Sequence, residues 1–184
     1  MAKKRKSKAL LPEYVVLLMI DDGDEEHLAF LERCRLNCDA SVHEECLQLA
    51  GTRHFTLAKG HLSAEEAETI RFSRSPGLPC RLPLSKLKGF KSCLACGLDQ
   101  STADKVVDLS KTLILPEAMK LTTGSQLHLS LYRARGKKGL ETEVSRMRAA
   151  NENKSLGTVT GIRVVVKIIG TDYSTSRTVE LSSS

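Results

Sequence analysis

Two five-residue segments of the chain repeat one pattern, in which polar and apolar side chains alternate. They read Arg53-His54-Phe55-Thr56-Leu57 and Leu127-His128-Leu129-Ser130-Leu131. An alternation with a period of two is typical of a strand with one buried face, because successive side chains of a strand point to opposite sides of the sheet. A matching pair with an apolar middle residue and a following leucine should arise by chance in roughly one of a thousand such chains. We therefore expect two strands whose apolar side chains enter a core.

The alternation also places an imidazole and a hydroxyl side by side on the other face of each strand. These are His54 with Thr56, and His128 with Ser130. If the two strands face one another, both pairs converge on one cleft. A neutral imidazole can then accept a proton from water while a protonated one donates a proton to a leaving ribose oxygen, and the hydroxyls can donate hydrogen bonds to phosphate oxygens. A lone strand histidine is more often structural, but the paired copies favour phosphodiester chemistry without a metal or other cofactor.

Hydrophobic periodicity predicts that strands and helices alternate along the chain. We expect strands over residues 14–20, 52–58, 80–84, 90–98, 126–133, 158–169 and 174–181, and helices over 25–38, 63–72, 101–115 and 139–153. Ser63 and Glu66 form a predicted capping box, and Gly170-Thr171-Asp172 is a predicted hairpin turn. The mixture of helices and hairpin-like strand pairs predicts an α+β fold with antiparallel sheet.

The two motifs resemble the signature of the 2H phosphoesterase superfamily, which includes LigT-like RNA ligase/phosphodiesterases and plant and fungal cyclic phosphodiesterases. The likeness extends over roughly residues 13–181, and both the order of the elements and the separation of the motifs are similar. It implies a bilobal, pseudo-twofold fold of antiparallel sheets with flanking helices, and a cleft between the lobes.

The resemblance also implies roles for individual residues. It assigns catalysis to His54 and His128, and phosphate binding to Thr56 and Ser130. Tyr132 is a further candidate for substrate binding, although it stands one position nearer to the second motif than the tyrosine of many cyclic phosphodiesterases. The pseudo-twofold would let a substrate bind in either direction. We favour His128 as the base that activates water and His54 as the acid.

The resemblance implies an enzyme that hydrolyses the 2′,3′-cyclic phosphate of nucleotides or RNA ends. Other activities of the superfamily stay open, namely cleavage of 2′,5′-linked oligonucleotides and processing or ligation of RNA 3′ ends. Outside the superfamily, the alternatives are a structural or scaffold role without catalysis, and a non-catalytic RNA-binding module. That module would be poorly equipped for base stacking, because aromatic residues make up only 4% of the chain and tryptophan is absent.

The charge distribution fits an RNA or nucleotide partner. The net charge is +6, and lysines and arginine crowd the first eight residues. We expect a disordered basic tail over residues 1–12, with a nuclear-import signal or an RNA-contacting arm as alternatives, followed by one bilobal domain over residues 13–182. No secretory signal or membrane-spanning stretch is evident, and the six cysteines are expected to be reduced. We therefore expect a monomer of the cytoplasm or nucleus without a membrane partner.

The cysteines offer two competing metal-site patterns. One combines Cys34, Cys38, His43 and Cys46, but its spacing matches no zinc motif, and two of its cysteines fall one turn apart on a predicted helix. The other is the pair in Cys93-Leu94-Ala95-Cys96, whose thiols would point to opposite faces of a strand. We predict structural cysteines and no metal site.

Three residues outside the motifs carry weaker signals. Lys59 and His61 follow the first motif closely enough to border the cleft, although a histidine such as His61 is more often a loop residue. His27 lies on a predicted helix without an evident partner.

Overall fold

The structure of the chain, a computed structural model, describes residues 11–37, 52–90, 93–133 and 140–181. At residues 89–90, 93, 132–133 and 140–141 the structure describes the backbone only. Most of the predicted basic tail, and Cys38, His43 and Cys46 of the first cysteine pattern, lie outside the described residues.

The described residues form ten strands and four helices. The strands are β1 (Glu13–Ile20), β2 (His54–His61), β3 (Arg71–Phe72), β4 (Cys80–Phe90), β5 (Cys93–Leu98), β6 (Leu113–Ile114), β7 (Lys120–Leu121), β8 (Leu129–Arg133), β9 (Thr158–Ile168) and β10 (Arg177–Thr178). The helices are α1 (Glu25–Leu36), α2 (Ala64–Glu68), α3 (Gln100–Ser110) and α4 (Leu140–Ala150). None of these helices combines the length and the apolar character needed to cross a membrane.

Eight strands form one antiparallel sheet, which confirms the predicted α+β class. Their order is β1-β2-β8-β5-β4-β9-β10, and β7 pairs with β2. The first residues of β9 pair with β4 and the later ones pair with β1, so the path of paired strands returns to its start. The sheet thus has two halves, which β9 joins on one side and the β2–β8 pair joins on the other. Strands β3 and β6 form a small separate sheet.

The helices cover one face of the large sheet. Alternate residues of β1 point towards them and are buried together with side chains of α1, α3 and α4: Tyr14, Val16, Leu18, Ile20, Phe30, Val106 and Met147. Complete burial of one such large apolar side chain stabilises the fold by about 1.5–3 kcal/mol. The other alternate residues of β1 point to the opposite face, where Val15, Leu17, Met19 and Val165 form a second, smaller cluster.

Two predicted helices end earlier than expected. The capping box of α2 is confirmed, since the Ser63 amide donates to the Glu66 carboxylate over 2.8 Å and the Glu66 amide donates to Oγ of Ser63 over 3.2 Å. This helix nevertheless stops at Glu68, because Arg71–Phe72 pair with Leu113–Ile114. The same pairing places residues 113–114 in a strand, so α3 ends at Ser110 rather than at residue 115.

Three predicted strands also differ from the observed ones. The strand expected over residues 174–181 is reduced to Arg177–Thr178, and Tyr173–Thr175 form a 3-10 turn before it. The break expected between residues 84 and 90 is wrong, because β4 continues through them with Lys86 and Lys88 alternating against Leu87, which packs on the core. Strand β8 begins at Leu129 rather than at residue 126, since Gly124–Gln126 form a 3-10 turn. The Thr123 amide donates to the Gln126 side chain over 3.3 Å at the start of this turn.

Candidate active site

The two H-x-[ST]-L segments meet where the halves of the sheet join. Phe55 of β2 and Leu129 of β8 are antiparallel partners, and both are fully buried in the core. One step along this register places His54 beside Ser130, and Thr56 beside His128, on the opposite side of the sheet. Side chains opposite one another in such a pair have Cβ atoms about 4.5–5.5 Å apart. We call this side, opposite to the helices, the motif face.

The four predicted residues are thus gathered on one face, as the alternation required. His54, Thr56 and His128 are half-buried, and Ser130 is 5% exposed. Their apolar neighbours Phe55, Leu57, Leu127, Leu129 and Leu131 are buried on the core side. Although His128 precedes β8, its neighbour Leu127 has an extended backbone, so the alternation continues through it.

Both imidazoles are held in the same way. Nδ1 of His54 lies 2.7 Å from the carbonyl oxygen of Thr52, and Nδ1 of His128 lies 2.7 Å from that of Gln126. A carbonyl oxygen only accepts hydrogen bonds, so each Nδ1 carries a proton and donates it. Nε2 is therefore the nitrogen of each ring that remains able to exchange a proton with a bound molecule. The repeated contact to the carbonyl two residues earlier gives the site a local pseudo-twofold symmetry.

Tyr173 is a site residue that sequence reasoning missed. Its phenol oxygen lies 2.8 Å from Nδ1 of His54, and the two rings are tilted with their centroids 5.9 Å apart. Because that nitrogen is the donor, the phenol oxygen is its second acceptor. The tyrosine lies in the turn after β9 and packs on the small apolar cluster of the motif face. Its separation from His54 by 119 positions left no signal in the sequence.

Lys88 brings a positive charge to the second motif. Ser130 pairs with Ala95 and Ala95 pairs with Lys88, so the lysine belongs to the motif face. Its side chain leans over Gly97, where an added Cβ would lie 2.8 Å from Cε of the lysine, and its Nζ donates to the carbonyl of Ser125 over 3.1 Å. Since Cys96 pairs with Leu129, the neighbouring Gly97 stands beside His128. Lys88 was missed because it fell in the predicted break of β4.

A buried polar network lies behind His54, on the core side. His27 is fully buried, its Nδ1 donates to the carbonyl of Leu156 over 2.9 Å, and its Nε2 accepts from Nη1 of Arg53 over 3.0 Å. Burial, together with the charge of Arg53, lowers the pKa of His27. Arg53 also donates to Asp22 over 3.2 Å, whereas its buried Nε has no acceptor within the described ranges. The sequence showed no evident partner for His27, and the fold supplies two from distant positions.

The remaining sequence candidates lie away from the motifs or outside the described part. His61 ends β2 and its Nδ1 donates to the carbonyl of Leu11 over 2.9 Å. Cys34 and Cys96 are buried in the core, as expected of structural cysteines. The backbone of Tyr132 pairs with Leu94 of β5, but its side chain is outside the description. Among the residues that the structure describes, no three His, Cys, Asp or Glu side chains form a metal-binding group.

Comparison with known proteins identifies the fold. No family model matches the chain, and no curated protein matches it by sequence. Two solved structures of Usb1 from Kluyveromyces marxianus are similar at 13% sequence identity, with TM-scores of 0.51 and 0.50. They cover 92% of this chain and 98% and 99% of their own, and the second contains uridine monophosphate. Usb1 is a member of the 2H phosphoesterase superfamily, so this chain has the fold that its two motifs predicted.

Proposed function

We propose that the protein is a phosphodiesterase of RNA 3′ ends that hydrolyses a terminal 2′,3′-cyclic phosphate by acid–base catalysis between two histidines. The observation that carries the proposal is the matched Nδ1 contact of His54 and His128. With Nδ1 engaged in this contact, Nε2 of each ring can exchange a proton with the substrate. An acid and a base that flank one phosphate require two such imidazoles on one face.

In the proposed reaction, Nε2 of His128 accepts a proton from the water that attacks phosphorus. Nε2 of protonated His54 donates a proton to the ribose oxygen whose bond to phosphorus breaks. Thr56 and Ser130 donate hydrogen bonds to the non-bridging oxygens, where negative charge must be stabilised. Lys88 supplies a positive charge beside His128 for the same oxygens.

The assignment of the acid rests on Tyr173. The Nδ1 proton of His54 has two acceptors, the carbonyl of Thr52 and the phenol oxygen. Hydrogen bonds that are donated by the charged form of a group favour that form. The neutral ring donates the same Nδ1 proton, but both hydrogen bonds are stronger when the donor is charged. We therefore assign the acid to His54.

RNA is the favoured substrate because of two further observations. The net charge of the chain is +6. The fold is shared with Usb1, a U6 snRNA 3′-end phosphodiesterase, one structure of which holds uridine monophosphate. This likeness also favours a second candidate, the shortening of RNA 3′ tails. In that reaction the ribose 2′-hydroxyl would lose its proton to one histidine and attack phosphorus. The bond from phosphorus to the 5′-oxygen of the terminal nucleoside would break, and the other histidine would protonate that oxygen.

A substrate panel with product identification tests the proposal. It comprises 2′,3′-cyclic UMP, an oligouridylate with a cyclic-phosphate end, one with a 3′-hydroxyl end, and a 2′,5′-linked oligonucleotide. We expect opening of the cyclic phosphates in excess EDTA, and no reaction in the double variant His54→Ala/His128→Ala. Shortening of the 3′-hydroxyl substrate would favour the second candidate. Activity that disappears in EDTA and returns with added metal would contradict the mechanism.

A further inference from the structure

A row of three lysines crosses four neighbouring strands of the sheet. Lys120 of β7 pairs with Lys59 of β2, Lys59 pairs with Val15 of β1, and Val15 pairs with Lys167 of β9. Residues paired directly across strands project to the same side of a sheet. Val15 belongs to the small cluster under Tyr173, so the row lies on the motif face. We call these three residues the lysine row.

A β-bulge gives Lys59 this orientation. The register between β1 and β2 shifts at Val16/Leu17, so that Leu57 and Ala58 are consecutive and both fully buried. An extra residue in one strand reverses the alternation beyond it. Without the bulge, Lys59 would point from β2 into the core. With it, Lys59 projects from the same face as His54 and Thr56 and is exposed.

The charges of Lys59 and Lys120 do not stabilise the sheet. Like charges directly opposite one another on adjacent strands are destabilising. Lys59 and Lys120 are such a pair, and neither makes an ion pair with a carboxylate in the described part of the chain. Strands are about 4.8 Å apart, so the row extends over about 14 Å. A multiply charged anion would relieve this repulsion.

The distance from the motifs indicates the size of that anion. Lys59 follows His54 by five positions on the same strand, or about 16 Å at 3.3 Å per residue. That length corresponds to about five nucleotides at the 3.4 Å rise of a stacked strand, and to fewer in an extended one. A nucleotide at the two motifs does not reach the lysine row, whereas a strand that continues from it does.

We propose that the lysine row is a binding site for the backbone phosphates of an RNA strand whose reacting end lies at the two motifs. The inference rests on the proposed function, and it makes oligonucleotides rather than mononucleotides the substrate class. The row contacts phosphates without reading bases, so it gives affinity and direction to the strand but no sequence preference.

Binding of fluorescent oligouridylates from about two to about eight nucleotides tests this site, with lengths chosen to bracket the separation. The protein for this assay is the double variant His54→Ala/His128→Ala, so that the RNA stays intact. We expect affinity to rise with length until the strand covers the lysine row. Adding Lys59→Gln and Lys120→Gln should remove most of that rise. It should also reduce the salt slope of binding by about 1.4, at about 0.7 per phosphate contact in single strands.

The matched control is the pair Lys105→Gln and Lys111→Gln, which removes the same charge from exposed positions at α3, on the helix-covered side. Thermal unfolding checks that every variant folds. An unchanged length dependence and salt slope in the Lys59/Lys120 variant would overturn the proposal. Polyglutamate is a second probe. If it binds as tightly as RNA and its binding depends on the same lysines, the surface would belong to an acidic polypeptide, and the proposal of an RNA site would be overturned.

Turnover separates this inference from the proposed function. The assay compares kcat/KM for a long cyclic-ended oligonucleotide with kcat/KM for 2′,3′-cyclic UMP, in proteins whose histidines are intact. In the Lys59→Gln/Lys120→Gln variant we expect the preference for the oligonucleotide to be about tenfold lower than in wild type. This corresponds to the loss of about 1.4 kcal/mol of substrate binding. If the wild-type protein turns over neither substrate while binding still depends on length and on both lysines, the proposed function fails and the lysine row stands.

Discussion

The phenol oxygen of Tyr173 lies 2.8 Å from Nδ1 of His54, and not at Nε2, where we propose that the proton is exchanged. In the proposed mechanism the tyrosine acts through the imidazole, as a positioning residue. It also connects the motif to Lys167, whose Nζ lies 4.3 Å from the centre of the tyrosine ring.

Replacing Tyr173 by phenylalanine removes this acceptor and leaves the ring in place. One hydrogen bond to a charged group contributes about 1.5–3 kcal/mol, and the carbonyl of Thr52 compensates in part. We expect kcat to fall about tenfold with little change in KM, and the limb of the pH–rate profile that reports the protonated acid to move to lower pH. Tyr14→Phe, on the core side of β1, is the matched control. An unchanged kcat and pH profile would make Tyr173 a packing residue only.

Replacing either motif histidine by alanine should reduce kcat by about 10²- to 10⁴-fold, the contribution of one general acid or base. The double variant should lose less than the product of the two single effects, because acid and base act as one unit. Thr56→Ala and Ser130→Ala should each cost about tenfold or somewhat more. Single-turnover rates on a cyclic-ended oligonucleotide measure these effects. His61→Ala is the control, and full activity without both motif histidines would refute the mechanism.

Removing the charge of Lys88 should weaken stabilisation of the reacting phosphate. We expect Lys88→Met to reduce kcat/KM by about ten- to a hundredfold, the range for one charge-assisted hydrogen bond. Gly97→Ala should have a similar effect, because its Cβ would lie 2.8 Å from Cε of the lysine and displace it. Lys86→Met, on the same strand and more exposed, is the control. If only Gly97→Ala reduces activity, the glycine serves the backbone near His128 and Lys88 has no role in the reaction.

The buried His27 makes stability depend on pH. Burial lowers the pKa of His27 below its ordinary value of 6.5, and the ring accepts a hydrogen bond from Arg53. Above pH 6.5 the ring is neutral in both states and its contribution is complete. As the pH falls below that value, only the unfolded chain takes up the proton, so the free energy of unfolding decreases by up to about 1.4 kcal/mol per pH unit.

Urea unfolding at several pH values tests this linkage. His27→Gln should be less stable than wild type at neutral pH, yet should lose less stability as the solution is acidified. His61→Gln, at an exposed position, should keep the wild-type pH dependence. An equal loss on acidification in wild type and His27→Gln would mean that another group controls it.

The sequence by itself determined the motif strands and which of their side chains share a face. The alternation in residues 53–57 and 127–131 is a local property, and it predicted which side chains are buried around His54 and His128. The two related halves of the fold were expected only from the resemblance of the motifs to the 2H phosphoesterase superfamily. Capping at Ser63 was equally readable, since the residues that form it are three positions apart.

Only the tertiary structure decided the partners that are distant along the chain. Three such features depend on how the strands pair, and no local pattern encodes that pairing. They are the Tyr173–His54 contact, the Arg53–His27 network and the position of Lys88 over Gly97. The same holds for the lysine row, because a bulge in β2 reverses the direction of Lys59. A shift of one residue in register moves a side chain to the other face of a sheet. Composition and periodicity cannot specify such a shift, whereas the pairing of β1 with β2 does.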